Sequence, residues 1–356
     1  MTPQPHDPHV PPTDAAVRAL YLQAQDQVSA GTTARLNHAR HAALSAAPPP
    51  RRGWAWPLAA AAAILAITLA YSGGRGAAEI AAAAVTFSAL FVIVGLGQML
   101  VITSGPGNVD LSIPAAISLS GAIAMKVMDG SDALIAAGLA AALGAAMLLG
   151  VANYLLIRLL RIPPIIATLS SALIVQSVAI AYGRGLKIKP PPVFADFCTG
   201  RTLGVPNLAL VAAALTALVL LVLSRTVYGR TLLALGQNPR AARLAGAPVA
   251  RTRLTTSVAS ATLAGLCGTL LAGFSGGSSL NMGEEYLLAS IAVTVIGGTS
   301  VAGGRAEPLG IWGAALLLFL IVTMLNTFGL SAGVRLVATG IIIVAVIAIG
   351  GGAKRT

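Results

Sequence analysis

Residues 78–103 read AEIAAAAVTFSALFVIVGLGQMLVIT, an apolar run whose single charge, Glu79, sits at its edge. About 20 such residues wound as a helix cross a hydrocarbon core of ~30 Å, so the run reads as a membrane span. The pattern recurs at 54–72, 109–128, 133–160, 163–183, 207–225, 253–275, 286–302, 307–328 and 333–351, which predicts about ten spans. The runs at 109–128 and 286–302 are short or glycine-interrupted and are expected to be broken or partly re-entrant helices. The predicted fold class is an all-α integral membrane protein.

Composition agrees. Of 356 residues, 56% are hydrophobic and only 10% charged, against roughly 25% charged in soluble domains. Such a chain cannot clothe itself against water, and membrane lipid must be its solvent. The net charge of +12 does not indicate a nucleic-acid partner, because the cations lie mainly in short loops between apolar runs and aromatic residues make up only 4%. With the N-terminus inside, the cytoplasmic loops carry Arg158 and Arg161, then Arg225, Arg230, Arg240, Arg243, Arg251 and Arg253, and finally Lys354 and Arg355. Glu284 and Glu285 fall outside. The loop 184–206 is also assigned outside, although Arg184, Lys187, Lys189 and Arg201 face only Asp196; longer loops obey the positive-inside rule less strictly. An even number of spans puts both termini in the cytoplasm.

Residues 1–52 form an N-terminal extension, polar and proline-rich, expected to be largely disordered. Val17, Leu20, Tyr21, Ala24 and Val28 recur at helical spacing after Thr13, so a short amphipathic helix is the alternative there. The transmembrane domain follows at 53–351, entered through Arg51, Arg52, Trp54 and Trp56, and 352–356 is a short tail. All four histidines (His6, His9, His38 and His41) lie in the extension, which leaves none for a metal site or proton relay in the membrane. Cys267 sits in an apolar run and Cys198 in a polar loop, without metal-ligand or disulfide spacing.

Three segments carry the chemistry. Tyr228 to Arg253 reads YGRTLLALGQNPRAARLAGAPVARTR, and no carboxylate occurs between Asp196 and Glu284. Asn238 can cap a short helix with Pro239 at its first position and Gly246 just past its end, and Ala241, Ala242 and Ala245 would give it a smooth face. The segment is either a surface that docks into a partner or a basic loop that only enforces topology. Ile291 to Gly310 reads IAVTVIGGTSVAGGRAEPLG, where Gly297, Gly298, Gly303 and Gly304 interrupt an apolar span. Such backbone is tolerated at membrane depth only where protein or a cavity surrounds it; close helix packing is the other reason for glycine there. The segment lacks the Gly-Lys-Ser/Thr ending of a phosphate-binding loop, and none exists elsewhere in the chain. Ser104 to Ala116 reads SGPGNVDLSIPAA, and Asp110 is the one carboxylate placed in or at the edge of the apolar region. It can line a route, cap the following helix or support a subunit contact.

These segments resemble the ribose-type permeases, a branch of the bacterial ATP-binding-cassette importers that also includes branched-chain amino acid permeases. The family's cytoplasmic coupling loop runs Gly-Arg, Ala-hydrophobic-Gly, then Asn-x-x-Ala-Ala-Arg-Leu-x-Gly. Gly229, Arg230, Ala234, Gly236, Asn238, Ala241, Ala242, Arg243, Leu244 and Gly246 match it, while Arg240 departs. The run from Ile296 through Gly297, Gly298, Thr299, Gly303, Gly304 and Arg305 is similar to the Ile-Gly-Gly-Thr-Ser-x-x-Gly-Gly-Arg signature, with Ala306 and Glu307 departing. Asn108, Val109, Asp110, Leu111 and Ser112 resemble the Asp-Leu-Ser motif, with Ile113 and Pro114 departing.

The resemblance implies a bundle like those of type II importers in a bacterial inner membrane. Its role would be the translocation path for a monosaccharide or sugar-like solute. It further implies that ATP and Mg are used by a partner ATPase rather than bound by this chain, that a periplasmic binding protein delivers the solute, and that a second permease copy, identical or related, completes the pore. The coupling loop 226–253 would act through Gly229, Arg230, Asn238, Arg240, Ala241, Ala242, Arg243 and Gly246. Asn108, Asp110, Ser112, Gly297, Gly298, Thr299, Gly303 and Gly304 would line or gate the path. A permease for branched-chain amino acids or another small polar metabolite is the alternative. An ion-coupled secondary transporter fits less well, since Asp110 stands nearly alone as an ionisable group in the membrane.

Overall fold

Hydrocarbon offers no water to backbone N–H and C=O groups, so the apolar runs close their hydrogen bonds within helices. A computed structural model describes residues 55–71, 77–185 and 188–328, with isolated positions at 31, 34, 333, 334, 337, 340 and 341. The chain divides into two compact units, Met1–Arg51 and Arg52–Thr356, and the architecture below is that of the second. The N-terminal extension with its amphipathic stretch, the Arg51–Arg52 pair, the tenth span at 333–351 and the C-terminal tail lie outside the described residues, those isolated positions apart.

The apolar helices are α1 (Ala55–Tyr71), α2 (Ala77–Thr103), α3 (Ile113–Met128), α4 (Ile135–Leu160) and α5 (Pro164–Gly183). A short helix, α6 (Pro192–Thr199), and two strands, β1 (Arg201–Thr202) and β2 (Val205–Pro206), precede α7 (Asn207–Arg225). Two further short helices, α8 (Val227–Gln237) and α9 (Pro239–Leu244), lead to α10 (Val249–Phe274), α11 (Tyr286–Ile296) and α12 (Pro308–Thr327). Among the described residues, six helices (α2, α4, α5, α7, α10 and α12) are long and apolar enough to cross a membrane, and α1, α3 and α11 are shorter apolar helices. The expectation of about ten spans is therefore met only in part. The two expected interruptions are present: α3 begins only at Ile113, and α11 ends at Ile296 before a turn.

The loop 184–206 corrects two sequence expectations. Its residues 188–206 are structured, and they add an antiparallel hairpin to a fold expected to be all helical. The hairpin turns through Leu203 and Gly204, both at positive φ (53° and 80°), the pairing that matches strand twist in a two-residue turn. Cys198 is not in a polar loop; it lies on α6, buried against Gly273 of α10 beside Phe194. Phe194 and Cys198 stand four residues apart, about one helical turn, so they share the face of α6 that turns inward.

α10 lies at the centre, packed against α4, α3 and α2, while α12 packs on α1 and α2, α11 on α2 and α12, α5 on α3, and α7 on α2. Leu90, Ile93, Leu96 and Met99 of α2 are fully buried. Close approach is set by small residues: a side chain at Gly97 would crowd the Ser260 backbone, and one at Gly150 the backbone of Val258. On the outside, Leu148 of α4 and Leu173 and Ile174 of α5 are each about two-thirds exposed. In water such a surface would aggregate; in a bilayer it is the face toward lipid.

Candidate functional site

The chain between α2 and α3, residues 104–112, leaves the helix and is held by side chains from the surrounding helices. Asp110 is 3% exposed. Its Oδ1 accepts from the Ser112 backbone N–H at 3.0 Å and from Ser112 Oγ at 2.6 Å, and its Oδ2 accepts from Ser260 Oγ of α10 at 3.0 Å. Asn153 of α4 donates through Nδ2 to Ser112 Oγ at 2.8 Å and accepts from Ser171 Oγ of α5. The Asp110 N–H reaches Gln98 Oε1 of α2 at 3.3 Å, and the Leu111 N–H reaches Thr168 Oγ1 of α5 at 3.1 Å. Asn108 donates to Ser104 Oγ at 2.8 Å. No cation neutralises Asp110 among the described residues; hydroxyls and one backbone N–H hold it. The carboxylate thus closes a turn ahead of α3, and Ser112, at the helix's N-cap, makes no side-chain cap bond.

A second interruption follows α11. Residues 297–307 form a compact turn in which the Ser300 N–H donates to Arg305 O at 3.2 Å and Arg305 Nη2 to Gly298 O at 3.1 Å. Its glycines lie backbone on backbone with neighbours. A side chain at Gly310 would land on Gly297 O, and one at Gly303 would crowd Gly105 and the Gly236 carbonyl. The Gly304 N–H donates to Thr103 O, the last residue of α2, at 2.9 Å. Thr299 is buried, and its hydroxyl, like Thr103 Oγ1 and Gln98 Nε2, has no hydrogen-bond partner. The sequence grouped Gly303 and Gly304 with path residues; they sit against Gly236 and Gln237 at the end of α8.

The segment 226–253, expected to be the coupling loop, is mostly helical because its caps are good. Thr226 Oγ1 accepts from the Gly229 N–H at 3.2 Å to start α8, and Tyr228 OH pairs with Thr256 Oγ1 of α10 at 2.8 Å. Asn238 Oδ1 accepts from the N–H groups of Arg240 and Ala241 at 3.0 and 3.1 Å, with Pro239 at the first position of α9. Gly246 stands at φ +78°, and the Ala247 N–H returns to Ala242 O at 3.0 Å, a left-handed C-terminal cap. The expected smooth alanine face is not a single face. Ala242 is buried, whereas Ala241 and Ala245 share the exposed side with Arg240, Arg243 and Leu244. Leu244 is 90% exposed.

The two interruptions and the coupling segment meet at one end of the bundle, beside a cavity of about 940 Å³. Asn108 and Asp110 line its buried part, and Arg161, Arg243, Arg251 and Arg253 its open part. Sequence reasoning missed Gln98, Asn153, Thr168, Ser171 and Ser260. Gln98 and Asn153 are lone amides in apolar runs, a signal that would have found them, whereas Thr168, Ser171 and Ser260 stand among other hydroxyl residues and carry no such mark. Leu244 was missed as well, because nothing in its neighbours announces that it faces outward.

Comparison with known proteins identifies the family. No solved structure matches the chain. It is 31% identical over 258 residues to the ribose import permease protein RbsC of Escherichia coli, covering 70% of this chain and 79% of that one. It is 30% identical over 270 residues to the fructose import permease protein FrcC of Rhizobium meliloti, covering 73% and 74%, and 31% identical over 247 residues to a probable ABC transporter permease protein of Sinorhizobium fredii, covering 68% and 72%. The family model described as branched-chain amino acid transport system / permease component matches residues 80–347, and the chain belongs to that family.

Proposed function

We propose that this protein is the membrane-spanning permease subunit of an ATP-binding-cassette importer and forms the translocation path for a monosaccharide or sugar-like solute. The observation that carries this reading is α9, a short capped helix that presents Leu244 beside Arg240 and Arg243 to a partner. An apolar side chain left in water within a basic collar is a docking feature, since burial against a groove stabilises it and the cations select an acidic rim. The partner is an ATPase, which supplies the hydrolysis. A periplasmic binding protein and a second permease copy complete the importer, in a bacterial inner membrane with both termini cytoplasmic. The similarity to ribose and fructose import permeases supports a sugar as cargo. The family's description supports a branched-chain amino acid as the second reading.

The packing suggests how a pull on α9 reaches the path. α8 joins α9 through Asn238, which ends the first helix and caps the second; Gly236 of α8 lies on Thr103 and Gly304, and Thr103 precedes the break that carries Asp110. Backbone-on-backbone contacts of this kind have no flexible side chain to absorb a displacement, so movement of α8 shifts the end of α2. The test is reconstitution in proteoliposomes with the neighbouring ATPase and binding protein. Uptake should require ATP. Arg243→Glu and Gly246→Pro should abolish it while the protein still inserts; uptake without ATP, or unaltered uptake in both variants, overturns the proposal.

A further inference from the structure

The cavity beside the coupling segment carries more charge than docking uses. Arg161, Arg243, Arg251 and Arg253 line it, and none of their side chains has a hydrogen-bond or ion-pair partner among the described residues. Arg158, also in the lining, donates to Tyr154 OH at 2.7 Å. The one carboxylate in the wall, Asp110, is already occupied by Ser112 and Ser260. Positive-inside topology requires cations on this side of the membrane, but not that they converge on a shared concavity.

Arg161 adds an independent sign. It ends α4 at φ +55°, in the left-handed region where glycine or asparagine is ordinarily found, and Ile162, Pro163 and Pro164 follow. A glycine there would avoid the steric cost of a side chain at that dihedral. Arginine held in such a conformation points to a use for its side chain, and Arg161 lines the cavity.

We infer that this cavity is a binding site for a phosphate-bearing anion. A phosphate presents several strong acceptors to guanidinium forks, and convergent arginines are the group that recognises it bidentately. The apolar wall formed by Ile157, Pro163 and Val249 leaves room for the remainder of the ligand. The phosphate belongs either to a lipid headgroup or to a soluble phosphorylated compound. The lining comes from three places, the end of α2 with the break after it, the α4–α5 corner and the stretch from α9 into α10, so an occupant ties them together. On the importer reading above, it would slow the cycle when phosphorylated compounds accumulate inside the cell; the binding itself does not rest on that reading.

The experiment is calorimetric titration of purified full-length protein in neutral detergent with inorganic phosphate and with glucose 6-phosphate, and with mixed micelles containing phosphatidylglycerol or only phosphatidylcholine. Saturable binding in the soluble arms assigns a soluble ligand, and binding only to phosphatidylglycerol assigns a headgroup. In either case Arg253→Ala and Arg161→Gly should each weaken it about tenfold or more, the loss expected for a hydrogen bond to a charged group. Arg161→Gly should leave the melting temperature unchanged or raised, because glycine suits the backbone. No saturable binding in any arm, or affinity in both variants equal to that of the native protein, overturns the inference. Binding is read without the ATPase, so its failure is distinct from a failure of transport.

Discussion

The two interruptions of the apolar helices solve the same problem by opposite means. At 104–112 the freed backbone is satisfied by side chains: Gln98, Thr168 and the Asp110 carboxylate take up N–H groups, and Asn153, Ser171 and Ser260 hold the side-chain network in place. At 297–307 backbone lies against backbone across glycines, with few side chains involved. A side-chain network loses its members one at a time, and hydroxyls can rotate to new partners. A glycine seam has no such slack, because an added carbon meets main chain. The first region is therefore adjustable and the second rigid, and they touch where Gly304 donates to Thr103 O and where Gly303 lies on Gly105. A rigid block bearing on an adjustable one is the arrangement expected where motion is passed from one to the other.

The comparison breaks most readily at the seam. Gly310→Ala puts a carbon on the Gly297 carbonyl and should cost about 3 kcal/mol, read as loss of the monodisperse fraction on size exclusion in detergent. In the network, Asp110→Ala leaves a buried N–H unpaired and should cost about 2 kcal/mol in thermal unfolding. Asp110→Asn should cost about half that, since the Ser112 and Ser260 hydroxyls can reorient to donate or accept. Ser260→Ala removes a single interhelical bond and should cost about 0.6 kcal/mol, the usual value inside membranes. A uniform cost across all of these would erase the distinction. Leu244→Ala lies outside both regions and should change stability by less than about 0.5 kcal/mol, yet abolish co-purification of the ATPase.

How much of this was legible beforehand follows from the physics of each element. Apolar runs locate α1 to α5, α7 and α10 to α12 to within a few residues, because hydrocarbon leaves the chain few other solutions. Asn238, Pro239 and Gly246 gave α9 away through local chemistry, and Thr226 could have done the same for α8. The loop 184–206 misled because its charges mask the Phe194 and Cys198 face that folds inward. The partners of Asp110 come from positions 98, 153, 168, 171 and 260, and no single sequence records which lone polar residues share a neighbourhood. For the same reason Arg161, Arg251 and Arg253 read as a topology signal, and Arg243 as a coupling residue, until the fold set all four around one cavity.

The hairpin tip has a practical consequence. Leu203 is 99% exposed, and the hairpin stands at the far end of the 19-residue α7 from α8, some 28 Å away along a helix of that length. The chain's two native thiols, Cys198 and Cys267, are buried, and burial pushes Cys198 up to about 12, so neither offers a thiolate to a reagent. Leu203→Cys and Leu244→Cys, made in the otherwise native chain, would then be matched reporters for a membrane-impermeant maleimide applied to intact cells or to inverted vesicles. Labelling of one from each side would fix the orientation of the whole bundle without removing a single natural cysteine.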